Sequence, residues 1–208
     1  MKIGILNLGS GNLGSIYKVL KELRAKPFVI ENVSQLNSAD KLVLPGVGNF
    51  HKCMKYLHRE GYFEQIHEVV IHQKKPLLGI CLGMQLLADS GEEGSSENNS
   101  TLGLGLISGN VVSLKKLKCN ERVPHVGWNS VHILRKNSLF NDIYSGADFY
   151  FVHSFAFVPT DKATVIATSD YGIEFCAVVA RKNVWGTQFH PEKSSRVGFK
   201  LLKNFIQY

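Results

Sequence analysis

Apolar positions along the chain switch between two kinds of run. KIGIL at 2–6 is a short continuous apolar stretch, and GNLGSIYKVLKEL at 11–23 follows it. There Leu13, Ile16, Leu20 and Leu23 recur at the spacing of one helix face. PFVI at 27–30 and KLVLP at 41–45 predict two more strands, and the stretches around 49–59 and 62–73 predict helices. PLLGI at 76–80 predicts a strand that enters Cys81, with a helix from about 82 to 89. Strands that are apolar at every position must be buried on both faces. Alternating with helices, they predict a central, mostly parallel sheet flanked by helices.

The pattern changes at 90–101, SGEEGSSENNST, a polar, glycine-rich stretch that predicts a loop. Beyond it come shorter strand-like runs near 103–114, 131–134, 148–153, 163–168, 173–180 and 184–189. A final helix over 195–206 sets Val197, Leu201 and Phe205 on one face. No repeat interrupts this order. The expectation is one α/β domain over residues 1–208, with an antiparallel portion added in the second half.

Composition narrows the classes. With 208 residues, 44% hydrophobic and 20% charged, the chain falls in the ordinary globular range. The apolar start, MKIGILNLGSGN, is too short for the core of a secretory signal, and no apolar run reaches 18 residues, so a cytoplasmic location is expected. The net charge of +7 is spread over scattered Lys and Arg, with pairs such as Lys74-Lys75 but no basic run. That distribution describes a solvated surface better than a nucleic-acid partner. Cys53, Cys81, Cys119 and Cys176 show no CxxC pairing or metal-ligand spacing, so neither a metal nor a disulfide framework is expected.

Cys81 differs from the other three. In GICLG it stands between Gly79 and Gly83, where a strand passes into a helix. A G-x-nucleophile-x-G turn of this kind presents its central side chain, and the flanking glycines admit a backbone that side chains would obstruct. The free N–H groups of the following helix favour a thiolate and can bind a developing oxyanion. A nucleophilic cysteine needs a base and the base needs an orienting group. In GTQFHPEKS, at 186–194, His190 ends a strand at Pro191, and Glu192 is close enough to reach the imidazole from the same turn. A third segment, LPGVGNF at 44–50, is a glycine-rich turn after a strand. No Lys-Ser/Thr pair follows it, so it is not a P-loop. It leaves the sheet at the same edge as Cys81 and is placed to offer a second backbone N–H.

Together GICLGMQ, PGVGNF and TQFHPEKS resemble the class I, triad-type glutamine amidotransferases, whose fold is flavodoxin-like. GSGNLGS at 9–15, VPHVGWNS at 123–130 and YFVHSF at 150–155 are similar to one branch of that family, the glutaminase subunits of imidazole glycerol phosphate synthase. The resemblance implies a Cys81–His190–Glu192 triad, with the Val47 and Leu82 amides as oxyanion hole. It also implies that Gly48, Gln85, His153, Ser154 and Glu93 hold glutamine, with Glu92 as the alternative to Glu93. No cofactor and no metal are implied. Asn12, Trp128 and Lys193 are implied at an interface with a (β/α)₈ cyclase subunit of the HisF type, in a heterodimer. That partner receives the ammonia and converts PRFAR to imidazole glycerol phosphate and AICAR. Glycines on both sides of Val47 let its peptide rotate, which fits a glutaminase conditional on its partner. Two other readings compete: a paralogue feeding a different synthase, and a cysteine peptidase-like hydrolase with a comparable elbow.

Overall fold

In the computed structural model, which describes residues 1–9, 13–95 and 100–208, the first half follows the expected alternation. Strands β1 (Lys2–Leu6), β2 (Lys26–Ile30), β3 (Lys41–Gly46) and β4 (Leu77–Cys81) are separated by helices α1 (Leu13–Glu22), α2 (Phe50–Arg59) and α3 (Tyr62–His67). The helix expected over 62–73 is therefore divided, because α3 gives way to one wider π-helical turn over Glu68–His72. The second half holds α4 (Leu82–Leu86), β5 (Ser90–Gly91), β6 (Thr101–Leu102), β7 (Gly109–Ser113), β8 (His125–Ile133) and β9 (Ala147–His153). It ends with β10 (Phe155–Pro159), β11 (Val165–Asp170), β12 (Glu174–Arg181), β13 (Val184–Thr187) and α5 (Ser195–Gln207).

Nine strands form one sheet in the order β2-β1-β3-β4-β13-β12-β11-β8-β9. Pairings from β2 across to β13 are parallel, and those from β13 to β9 are antiparallel. The antiparallel portion thus continues the same sheet. A separate four-stranded sheet, β10-β7-β5-β6, stands beside it. Successive residues of the parallel strands are buried on opposite faces, as continuous apolar runs require. Leu42, Leu44 and Leu77 pack with Phe50, Leu57, Ile66 and Met84 in one layer. Val43, Leu78 and Ile80 pack with Ile16, Leu20, Leu201 and Phe205 in the other.

Three differences from the sequence reading have simple causes. The 90–101 stretch contains two-residue strands at each end, too short to carry a period. The strand expected at 131–134 begins at His125, because β8 exposes Val126 and Trp128 and carries Gly127, which mask its alternation. Residues 103–108 are not strand, and β10 follows β9 after a single corner residue, Ser154.

The junction between β4 and α4 depends on close backbone approach. A Cβ on Gly83 would lie 1.7 Å from the Leu44 carbonyl oxygen, and one on Gly79 would lie 2.5 Å from the Gly83 oxygen. A Cβ on Gly46 would lie 2.8 Å from the Leu82 Cβ and 2.9 Å from the Gly83 nitrogen. The obstacles are backbone atoms and a Cβ, so no side-chain rotation relieves them. Gly83→Ala is expected to destabilise the fold by about 3 kcal/mol, the upper part of the range for forced overpacking. In a chain of this size that lowers Tm by about 10 °C. A thermal unfolding curve unchanged by the substitution contradicts this packing.

Candidate active site

Cys81 is the last residue of β4, and its backbone takes φ +54° and ψ −109°. Such a conformation costs a residue with a Cβ about 1–3 kcal/mol and persists because the glycine contacts on either side determine it. It turns the side chain out of the sheet into a cavity of about 260 Å³. The thiol is 6% exposed, with Sγ 3.5 Å from the Val152 carbonyl oxygen and 3.8 Å from Nε2 of Gln188.

His190 reaches the same cavity from the end of β13, the strand that pairs with β4. β13 already ends at Thr187, three residues before His190, and Pro191 opens a 3-10 turn over Pro191–Lys193. The turn is pinned from several sides. The His190 amide donates to the Tyr150 carbonyl at 2.9 Å. The Ser194 hydroxyl donates to the His190 carbonyl at 2.6 Å and accepts from the Tyr150 amide at 3.0 Å. Nδ1 of His190 lies 2.8 Å from Oε1 of Glu192. Burial by itself would lower the imidazole, but its interactions with Cys81 and with Glu192 outweigh that and raise it well above the usual histidine range. Oε2 of Glu192 is buried with no hydrogen-bond partner among the described residues, so the carboxylate depends on the imidazolium for its compensation.

The expected residues converge. Val47, Gly48, Leu82, Gln85, Glu93, His153, Ser154 and Lys193 all line the cavity with Cys81 and His190, while Glu192 stands behind the imidazole. Gly48 has φ +121°, which a side chain rarely adopts, so the PGVG turn requires a glycine there. Of the two glutamates, Glu93 lines the cavity. Glu92 is paired with Lys116 and accepts from the Ser113 amide. Glu93 accepts from the Phe50 amide at 2.8 Å, and burial, partly offset by that bond, raises its carboxyl.

His153 lines the cavity. Its Nδ1 is 2.8 Å from the Phe155 carbonyl and its Nε2 3.0 Å from Nδ1 of His125, so both ring nitrogens are committed within the protein. What it can offer a ligand is its main chain. Burial lowers His153 to about 3 and His125 to about 4, keeping both rings neutral. Of the expected interface residues, Trp128 is 54% exposed and meets Tyr150 edge-on, with ring centroids 5.9 Å apart. Lys193 is exposed at the cavity. Asn12 lies outside the described residues. Sequence reasoning passes over Gln188 and Ser194, both fully buried. A glutamine inside the apolar run VWGTQF is the available signal.

Comparison with known proteins places the chain in a family. The family described as "Glutamine amidotransferase class-I" matches residues 5–208. A protein of Pelagibacter ubique named imidazole glycerol phosphate synthase subunit HisH is 40% identical, over 99% of both chains. The subunit HisH 1 of Prochlorococcus marinus is 47% identical, over 97% of this chain and 95% of the relative. Among solved structures, a glutamine amidotransferase from Thermotoga maritima superposes with a TM-score of 0.68 at 19% identity. That match covers 100% of this chain and 81% of the other, and it bears on fold alone. No helix among the described residues is long and apolar enough to cross a membrane. Matched from residue 5 to residue 208 and by relatives that share its full length, the chain belongs to the class I glutamine amidotransferases.

Proposed function

We propose that this chain is the glutaminase subunit of an imidazole glycerol phosphate synthase, acting in the cytoplasm as one domain over residues 1–208. The observation that carries the reading is the Cys81–His190–Glu192 arrangement at a cavity that Val47, Gly48 and Leu82 also line. In this reading the Cys81 thiolate attacks the side-chain carbonyl carbon of glutamine. The oxyanion that forms is held by the Val47 and Leu82 amides, each worth about 10²–10³ in rate. His190, kept protonated by its neighbours, gives its proton to the departing nitrogen, and the C–N bond breaks to release ammonia. The now neutral imidazole takes a proton from water, whose oxygen attacks the thioester and frees glutamate. Glu192 fixes the ring's tautomer throughout. Gln85, Gly48, Glu93, Ser154 and the main chain of His153 hold the substrate.

Ammonia released here is useful only where it meets an acceptor before protonation. The relatives named HisH support a cyclase of the HisF type as that acceptor's carrier. The face for it is marked by Val126 and Trp128, each more than half exposed, together with Lys193 at the cavity. Asn12 belongs to the same proposed interface. A cysteine peptidase reading has less support, because the class I glutamine amidotransferase family matches the chain over residues 5–208.

The direct test is glutamate release from glutamine, with and without the purified cyclase and its nucleotide. Release that rises when the loaded cyclase is added supports the assignment, and none under either condition rejects it. Cys81→Ala is expected to abolish glutamate release while cyclase turnover on added ammonium salts continues. Retained glutamine hydrolysis in that variant removes Cys81 from its role. His190→Ala is expected to lose at least as much kcat/KM as Glu192→Ala, since one group moves protons and the other orients it. A Glu192 variant that is markedly worse at equal folded fraction reverses those roles.

A further inference from the structure

Gln188 has no part in the mechanism above, yet it is 0% exposed and its Nε2 is 3.8 Å from Sγ of Cys81. Its Oε1 accepts from Nε2 of Gln85 at 3.1 Å, and the same Gln85 nitrogen donates to the Phe155 carbonyl at 2.9 Å. Nδ1 of His153 donates to that carbonyl too, and His125 is bonded to the far side of His153. One continuous chain of hydrogen bonds therefore runs from β8 to the nucleophile.

Its polarity is not free. A backbone carbonyl only accepts, so Gln85 must turn its NH₂ toward Phe155. That NH₂ has a second hydrogen, which points at Gln188 and requires an oxygen there. The amide of Gln188 is left with its NH₂ toward Cys81. Reversing Gln188 alone would set two donors against each other and an oxygen against the sulfur. The Val152 carbonyl, 3.5 Å from Sγ, accepts the proton of a neutral thiol and repels a thiolate. We infer that Gln188 is a donor to the Cys81 thiolate, held in that orientation by the Phe155 carbonyl through Gln85. It opposes the Val152 carbonyl and keeps the sulfur ready to attack. The inference adds a residue to the glutaminase reading and rests on Cys81 being the nucleophile.

The test reads the thiolate itself and uses no glutamine. Iodoacetamide alkylation of Cys81 in the full chain is followed by mass spectrometry of its peptide across pH. Gln188→Met keeps the volume and removes the donor. It is expected to slow alkylation at pH 6.5 by about tenfold, the low end for a hydrogen bond to a charged group, and to leave the alkaline plateau unchanged. Gln85→Met frees Gln188 to reverse and is expected to slow alkylation by a smaller factor, with no further effect once Gln188 is Met. If Gln188→Met does not fold, as judged by its melting curve, the isosteric Gln188→Glu also lacks the donor and is expected to slow alkylation at pH 6.5. Wild-type rates at pH 6.5 in the folded variant overturn the inference. So does equal slowing at every pH, which indicates altered access, and so does a Gln85→Met effect that persists undiminished beside Gln188→Met. A chain that hydrolyses no glutamine but shows the expected alkylation pattern rejects the proposed function and leaves this inference standing.

Discussion

The Gly83 backbone lies against the Leu44 carbonyl, and this contact sets the position of the first turn of α4 on the sheet. With a Cβ excluded there, α4 starts directly at the end of β4 without an intervening loop. The chain must then turn within one residue, and Cys81 takes the positive-φ conformation that makes the turn. The Leu82 amide and the PGVG turn, brought close by Gly46, end up beside the thiol for the same reason. A five-residue helix gains little from its own hydrogen bonds. Its placement comes from tertiary contact, so the strain at Cys81 is sustained by packing around it.

Sheet topology brings in the remaining groups. β13 pairs in parallel with β4, so His190, past the end of β13, emerges beside Cys81 at the end of β4. The carboxyl ends of parallel strands are where open α/β sheets bind their ligands. β9 then closes the site from the side through the Tyr150 and Ser194 bonds that hold the His190 turn. The charges follow the same arrangement. Glu192, half unpaired, favours the protonated His190, while His153 and His125 are kept neutral by burial. A second cation beside His190 would drive its proton off, so the neutral pair protects the charge on the His190 ring.

How much of this is legible in the sequence follows from the range of each interaction. The parallel strands, α1, α2, α5 and the elbow are local or periodic, and each is readable from apolar spacing or from GICLG. His190 and Glu192 share one turn, so their contact follows from spacing, and it measures 2.8 Å. What escapes is set by distant partners. β8 reads short because its exposed Val126 and Trp128 break the usual alternation. How the His153 ring is committed is not legible, because nothing nearby in sequence shows that His125, 28 positions away, meets its Nε2. Gln188 is easily overlooked because both of its amide partners, Gln85 and Cys81, lie more than 100 residues earlier. Glu92 and Glu93 are not separable until Lys116 and Phe50 are in place.

The central claim is that glutamine's side-chain carbon meets Cys81 in this cavity. A glutamine analogue carrying a diazoketone in place of its carboxamide sets a diazo carbon next to that carbonyl carbon. The diazo carbon takes a proton and loses N₂ as the thiolate bonds to it, leaving a stable thioether. Intact-mass analysis followed by peptide mapping after incubation with the analogue therefore tests the claim directly. The account predicts one adduct per chain, located on Cys81, with Cys53, Cys119 and Cys176 unmodified. An adduct on another residue, or none at all in a preparation that hydrolyses glutamine, would contradict it.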